Sequence, residues 1–163
     1  MMTVATPVEF CNISTHETKV VNITPSASGY FASAAPKEND YILFGYNHNN
    51  IVQLAIDGGG SKSVDISYPI DNAEISALNI YSRRLYTLDS AHNQVYKHDT
   101  TKAGFDRGKE WFKNADTNMK DAVSLTIDGD LYVLHSSGVV DKFTKGEKQP
   151  FEIQNLDPAL TGG

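Results

Sequence analysis

Short apolar runs alternate along the chain with clusters of turn-forming residues, and the pattern is clearest over residues 121–153. Ala122-Val123-Ser124-Leu125-Thr126-Ile127 gives way to Asp128-Gly129-Asp130, and Leu131-Tyr132-Val133-Leu134 to His135-Ser136-Ser137-Gly138. Val139-Val140-Asp141-Lys142-Phe143 and, past a polar turn, Pro150-Phe151-Glu152-Ile153 complete the set. Runs rich in β-branched and aromatic residues, bounded by Gly, Asn, Asp and Ser, predict a four-stranded antiparallel meander. Asp128-Gly129 is a strong tight-turn signal. No stretch sustains a helical period. The best candidate, Trp111 to Leu125, is interrupted by Asp116-Thr117-Asn118 and reads as a loop between units.

The same form recurs. Leu85-Tyr86-Thr87-Leu88 returns 46 residues on as Leu131-Tyr132-Val133-Leu134, and Val95 and Lys97 return 45 residues on as Val140 and Lys142. Going back by 44, Phe44 corresponds to Leu88, His48-Asn49 to His92-Asn93, and Ile51 to Val95. The first unit places strands in Gly29-Tyr30-Phe31-Ala32, Tyr41 to Phe44, Ile51 to Ile56 and Ser63 to Ile66, with Asp57-Gly58-Gly59-Gly60-Ser61 as its last turn. The second uses Ile75 to Tyr81, Leu85 to Leu88, Gln94 to His98 and Lys109-Glu110-Trp111-Phe112. Residues 1–28 read as the back half of another unit, with strands at Val8-Glu9-Phe10 and Lys19 to Ile23.

A period of this length with four strands per unit is the signature of a propeller blade, which buries its faces against its neighbours. The predicted division is a partial blade at 1–28, blades at 29–68, 75–113 and 121–155, and a lead-in to a next blade at 156–163. The pattern Leu-Tyr-Val-Leu, polar turn, Val-x-Lys-Phe resembles the NHL and YVTN class of β-propellers over roughly residues 29–155. The lone Trp111 and the missing Trp-Asp pairs set it apart from the Trp-Asp repeat class. Ile127 to Leu134 is also similar to propeller segments of bacterial proteins that carry a PPM-type phosphatase domain, which this chain does not contain. The fold expected is all-β: an array of four-stranded antiparallel blades, about three and a half of them, forming an incomplete ring. The alternative is a β-sandwich with accidental periodicity. A closed ring takes about four to eight blades. An open arc would be a fragment of a longer protein, would close by oligomerising, or would close a small ring with its partial blade. The fragment is preferred, because both ends fall inside the repeat rhythm.

At 163 residues the chain suits one domain, and its 14 basic against 20 acidic residues give a net charge of -6. A phosphate-neutralising protein needs a basic stripe. The nearest feature, Arg83-Arg84, falls in a hairpin turn, so neither nucleic acid nor an anionic membrane is an expected partner. No run approaches the length of a membrane-spanning helix, and the first residues lack the basic head and apolar run of a signal peptide. Asn12-Ile13-Ser14 and Asn22-Ile23-Thr24 fit the glycosylation sequon and are read as chance matches. Cys11 is the only cysteine. It excludes an internal disulfide and is expected to be a half-buried small side chain.

Candidate chemistry lies in the loops joining the second and third strands, which share one face of a propeller. They offer His48 and Asn49, then Asp89, His92 and Asn93, then His135. Converging histidines can bind a metal or anion or act as general bases, whereas exposed turns need polar residues in any case. The inner strands present Ser76, Asn79, Ser124 and Thr126, with Glu74 and Asp121 at their beginnings, too little for a lactonase-type calcium or magnesium site. Gly58-Gly59-Gly60-Ser61-Lys62-Ser63 lacks the glycine before lysine and the helix of a phosphate loop, and Asp128-Gly129-Asp130 lacks the late Glu of a calcium loop. The function read from this is a non-catalytic binding or sensory module with no cofactor. It would recognise a protein or small-molecule ligand through loops on one face, completed by further blades of its own chain or by a homo-oligomer. The alternatives are a propeller hydrolase or lactonase with a divalent metal in the channel, and an oligomeric lectin using the recurrent Tyr and Phe side chains.

Overall fold

A computed structural model describes residues 6–11, 14–23, 31–37, 41–46, 48–57, 59–114 and 117–153. Every regular element among them is a strand. A hairpin of β1 (Thr6–Cys11) and β2 (Thr18–Ile23) comes first, pairing Glu9 with Val20 and Cys11 with Thr18. Blade 1 follows as β3 (Phe31–Lys37), β4 (Tyr41–Tyr46), β5 (Asn50–Ala55) and β6 (Ser61–Ser67). Blade 2 comprises β7 (Ile75–Tyr81), β8 (Arg84–Asp89), β9 (Gln94–Asp99), β10 (Gly104–Arg107) and β11 (Lys109–Glu110). Blade 3 is β12 (Ala122–Ile127), β13 (Leu131–His135), β14 (Val140–Thr144) and β15 (Glu147–Gln149). The architecture is an all-β, propeller-like row of blades that does not close into a ring. The inner strand β7 lies beside both β3 and β12.

The repeat shows in the pairing. Leu85 faces His98 and Leu88 faces Val95 in blade 2; Leu131 faces Phe143 and Leu134 faces Val140 in blade 3. Alternate residues of each strand serve opposite faces of the sheet. Leu78 and Leu85 therefore pack toward blade 1 with Leu43, Ile51, Val64 and Phe105. Ala77, Tyr86, Leu88 and Val95 pack toward blade 3 with Leu125, Leu131, Val133 and Phe143. The described core includes these two layers between blades, with Val52 and Leu54 also buried on the other face of blade 1, so no single blade has a core of its own.

Four details differ from the sequence reading. First, the outer strand of blade 2 is split. Segment β10 adds in parallel to β6 of blade 1, with Gly104 opposite Asp65 and Arg107 opposite Ser67, and β11 then returns to pair with β9 of its own blade. The Gly108 amide donates to the Ser67 carbonyl at 2.9 Å, and the Arg107 guanidinium to the Pro69 carbonyl at 3.0 Å. A side chain at Gly104 would bring its Cβ within 2.4 Å of the Asp65 carbonyl oxygen, so only glycine admits this strap. Second, the last strand of blade 3 is Glu147–Gln149, not Pro150 to Ile153. Pro150 has no N–H to extend the ladder, and Phe151 instead reaches back edge-on to Tyr132, ring centroids 5.4 Å apart. Third, the hairpin turn is Ser82-Arg83, while Arg84 begins β8 and pairs with Asp99 at 2.8 Å. Fourth, Cys11 is exposed. Asn12, Gly29-Tyr30, Asn47, Gly58, Asp116 and the lead-in at 156–163 lie outside the described residues.

Candidate functional site

All six predicted site residues sit where second strands end and third strands begin, each held by a different backbone arrangement. Tyr46 pairs with Asn50 and Asp89 with Gln94, so the blade 1 turn is one residue shorter than that of blade 2. One step in from these closing pairs, Gly45 faces Ile51 and Leu88 faces Val95, and both Ile51 and Val95 pack toward the following blade, so Ile51 is the counterpart of Val95 as the repeat predicts. The left-handed residue is His48 (φ 68), two positions before β5, in blade 1 and Asn93 (φ 57), immediately before β9, in blade 2.

Asp89 is completely buried. Its carboxylate accepts from the Glu74 amide (3.2 Å), the His92 amide (3.1 Å) and His92 Nδ1 (2.9 Å). With Nδ1–H donating there, His92 Nε2 accepts from the Asn72 side-chain amide at 3.1 Å. Asn93 turns its side-chain oxygen the other way, accepting from the Met119 amide at 2.7 Å in the segment leading into blade 3. His48 makes the matching contact one blade earlier, its carbonyl accepting from the Ile75 amide at the start of β7. These turns therefore tie each blade to the lead-in of the next.

His135 stands at the blade 3 position equivalent to Asp89, 46 residues on. The chemistry is inverted there. The buried imidazole donates through Nδ1 to Asp121 at 2.7 Å, and this bond lowers the Asp121 pKa. Nε2 lies 3.3 Å from Asp141 Oδ2 without a well-directed hydrogen bond, and Lys148 Nζ binds that same oxygen at 2.6 Å. The two ring nitrogens point apart, so the two carboxylates lie on opposite sides of the ring and share no common centre. Among the described residues no group of three or more His, Cys, Asp or Glu side chains is placed to hold a metal ion.

The loops thus form three separate nodes, with bonds running to lead-in segments. Beside the first lies a groove of about 510 Å³ whose polar lining includes Asn49, Asn50, Ser63, Asp65 and Asp71. That volume falls in the range of small-ligand sites. Its Asn49 is a predicted site residue and Asn50 opens β5; the rest come from β6 and the connection into blade 2.

A buried polar seam between blades 1 and 2 was missed by the sequence reading. Thr87 and His98 are fully buried, Tyr96 and Tyr68 nearly so. His98 Nδ1 donates to the Asp106 carbonyl at 3.0 Å, which leaves Nε2 to accept from the Thr87 hydroxyl at 3.2 Å. Burial lowers the His98 pKa and pushes Tyr96 up to about 12. Tyr68 packs edge-on against His98 (5.2 Å) and Tyr96 (5.6 Å). The available signal was a break in the repeat: Thr87 and His98 occupy the positions of Val133 and Phe143.

No described protein family matches this sequence, and no curated protein matches it either. Solved structures do match its fold. A protein of unknown function from Bacteroides caccae superposes with a TM-score of 0.57 at 13% identity, over 88% of this chain and 53% of the other. Streptogramin B lyase gives 0.54 at 19% identity, over 93% and 46%. PorZ, a surface component of the type-IX secretion system of Porphyromonas gingivalis, gives 0.51 at 7% identity, over 83% and 18%. The chain spans about half the length of the first two. Identities this low speak for the fold.

Proposed function

We propose that the chain is a rigid, non-catalytic recognition module that binds a polar ligand on the face carrying the 48–49, 89–93 and 135–139 turns. The observation that carries this reading is the groove beside Asn49 and Asn50, where amides, hydroxyls and two carboxylates line a volume suited to a small ligand or a peptide side chain. The His and Asp residues nearby are committed to holding the frame: Asp89 is fully buried and bonded to His92 and to two backbone amides. Rigid elements that position variable loops suit recognition. The likeness of the Leu-Tyr-Val-Leu repeats to NHL and YVTN propellers supports the same reading at the level of fold analogy.

The test is a peptide and glycan array probed with the labelled protein and with Asn49→Ala/Asp71→Ala. A signal lost in the variant, with thermal stability unchanged, is the expected result. A signal indifferent to this double substitution, or turnover of a lactone or ester substrate by the purified chain, would overturn the proposal.

A further inference from the structure

The turn joining β7 to β8 is strained, and it stands at the rim of a pocket. Ser82 (φ 49) and Arg83 (φ 63) are both left-handed and neither is glycine. The corresponding turn of blade 3, between Ile127 and Leu131, places Gly129 (φ 127) at its positive φ. Strain kept in one copy of a repeat, where an unstrained turn would close the same hairpin, points to a use for the residues that bear it. The Thr100 hydroxyl donates to the Arg83 carbonyl and fixes the turn. The Arg83 guanidinium itself has no hydrogen-bond or ion-pair partner.

The pocket beside it has a volume of about 140 Å³ and is lined by Lys37, Ile80, Arg83, Thr100 and Phe105. Lys37 ends β3, Ile80 lies near the end of β7, and Thr100 pairs with Phe105 of the strap. These strand ends are opposite to the 48–49, 89–93 and 135–139 turns, so the pocket lies at the other face of the row. Its floor is apolar: Phe105 is buried and Ile80 half-buried against the layer between blades 1 and 2. Its rim is cationic. Lys37 Nζ lies 5.3 Å over the Phe105 ring and donates to Gln53 Oε1 at 3.1 Å, which fixes the ammonium at the pocket. No carboxylate is among the described residues that line it. A cavity of about 150 Å³ with aliphatic and aromatic walls holds one benzene molecule, so this one has room for a single ring. A guanidinium without a partner suits a carboxylate on that ring, since its paired N–H donors match the two oxygens.

We propose that this pocket is a second binding site, for an aromatic carboxylate. The ring enters against Ile80 and Phe105, and the carboxylate accepts from Arg83, with the Lys37 ammonium adding positive charge beside it. The site shares no residue with the groove at Asn49 and Asn50, so the two are tested separately.

Titration of the isotope-labelled full chain with sodium benzoate, followed in amide correlation spectra, tests the site. Saturable shifts are expected at the Ile80, Arg83 and Phe105 amides, with a Kd of about 1 mM or tighter. Benzylamine, with the same ring and the opposite charge, and acetate, with no ring, should give no saturable shift there. N-acetyl-phenylalanine titrated in parallel identifies the source: tighter binding than benzoate assigns the site to a peptide C-terminus, weaker binding to a free aromatic acid. Arg83→Gln should weaken benzoate by at least about tenfold, the scale of one charge-assisted hydrogen bond, with the circular dichroism spectrum unchanged. Ser82→Asn/Arg83→Gly, which relaxes the turn, should lose benzoate binding while remaining folded, and Asn49→Ala/Asp71→Ala should bind benzoate as the parent does. Benzylamine binding as well as benzoate, an unchanged affinity in Arg83→Gln, or shifts that grow without saturating would each overturn the proposal.

Discussion

Replacing one apolar pair of the repeat by Thr87 and His98 turns an inert layer into one that responds to acid. His98 is buried in the neutral form, with Nδ1–H on the Asp106 carbonyl and Nε2 accepting from Thr87. Its folded pKa lies below the ordinary histidine value. The unfolded chain therefore binds the proton more readily, and this group's contribution to stability is complete above about pH 6.5 and is lost as pH falls through that value toward the folded pKa. Thr87→Val/His98→Phe installs the Val133–Phe143 pair of blade 3. Urea unfolding at about pH 7.5 and pH 5.5 should show a smaller loss of stability in this variant than in the parent; equal losses would exclude His98 as the acid-sensitive group. The seam was illegible in the sequence for a physical reason. A polar residue in an alternating strand reads as solvent-facing, and only the blade on the other side decides that it is buried. The turn residues were legible as polar for the reason any turn is. That Asp89 would be sealed in by the Glu74 and His92 amides depends on a lead-in segment fifteen residues earlier.

At the scale of elements, hairpins were the most legible feature, because each requires only a local run, a turn and a second run. The Leu85 to Leu88 and Leu131 to Leu134 strands fell where the repeat put them, each filling the same inter-blade layer. Two turns carry strain or close approach that local pattern does not announce. Ser82 (φ 49) and Arg83 (φ 63) hold a two-residue hairpin loop with both centres left-handed, where Asn-Gly is the favoured pair. Ser82→Asn/Arg83→Gly should raise stability by about 1 kcal/mol in chemical denaturation, since the left-handed penalty is removed and the Arg83 carbonyl still accepts from Thr100. The strap is the opposite case. Gly104–Arg107 is only four residues long and pairs in parallel with a strand almost forty positions earlier, so no local signal marks it. Gly104→Ala forces a methyl against the Asp65 backbone and should cost about 2–3 kcal/mol. Hydrogen exchange should quicken at Gly108, whose amide donates to Ser67; unchanged exchange there would refute the strap's role.

For the whole molecule, a row of blades with cores only between them gains stability from neighbours, so its ends decide its behaviour. Blade 3 is complete as a sheet and incomplete as a packed layer, which is what the exposure of Leu134 records. The repeat made this foreseeable, because counting blades already left the ring open; which face of blade 3 stands open required the burial pattern of β13 against that of β8. Salt bridges on the outside add little to the frame. Asp99 is held at about 2 by its bonds to Arg84 and Lys109, but it is exposed, and water screens such pairs.

The strap also sets an order of events during synthesis. The Asp65 and Ser67 positions of β6 lie past the last residue paired with β5, Val64, and find their partner only in Gly104 and Arg107. A nascent chain must therefore emerge from the ribosome some forty residues beyond its first blade before that blade can be sealed, and the two blades mature together as one folding unit.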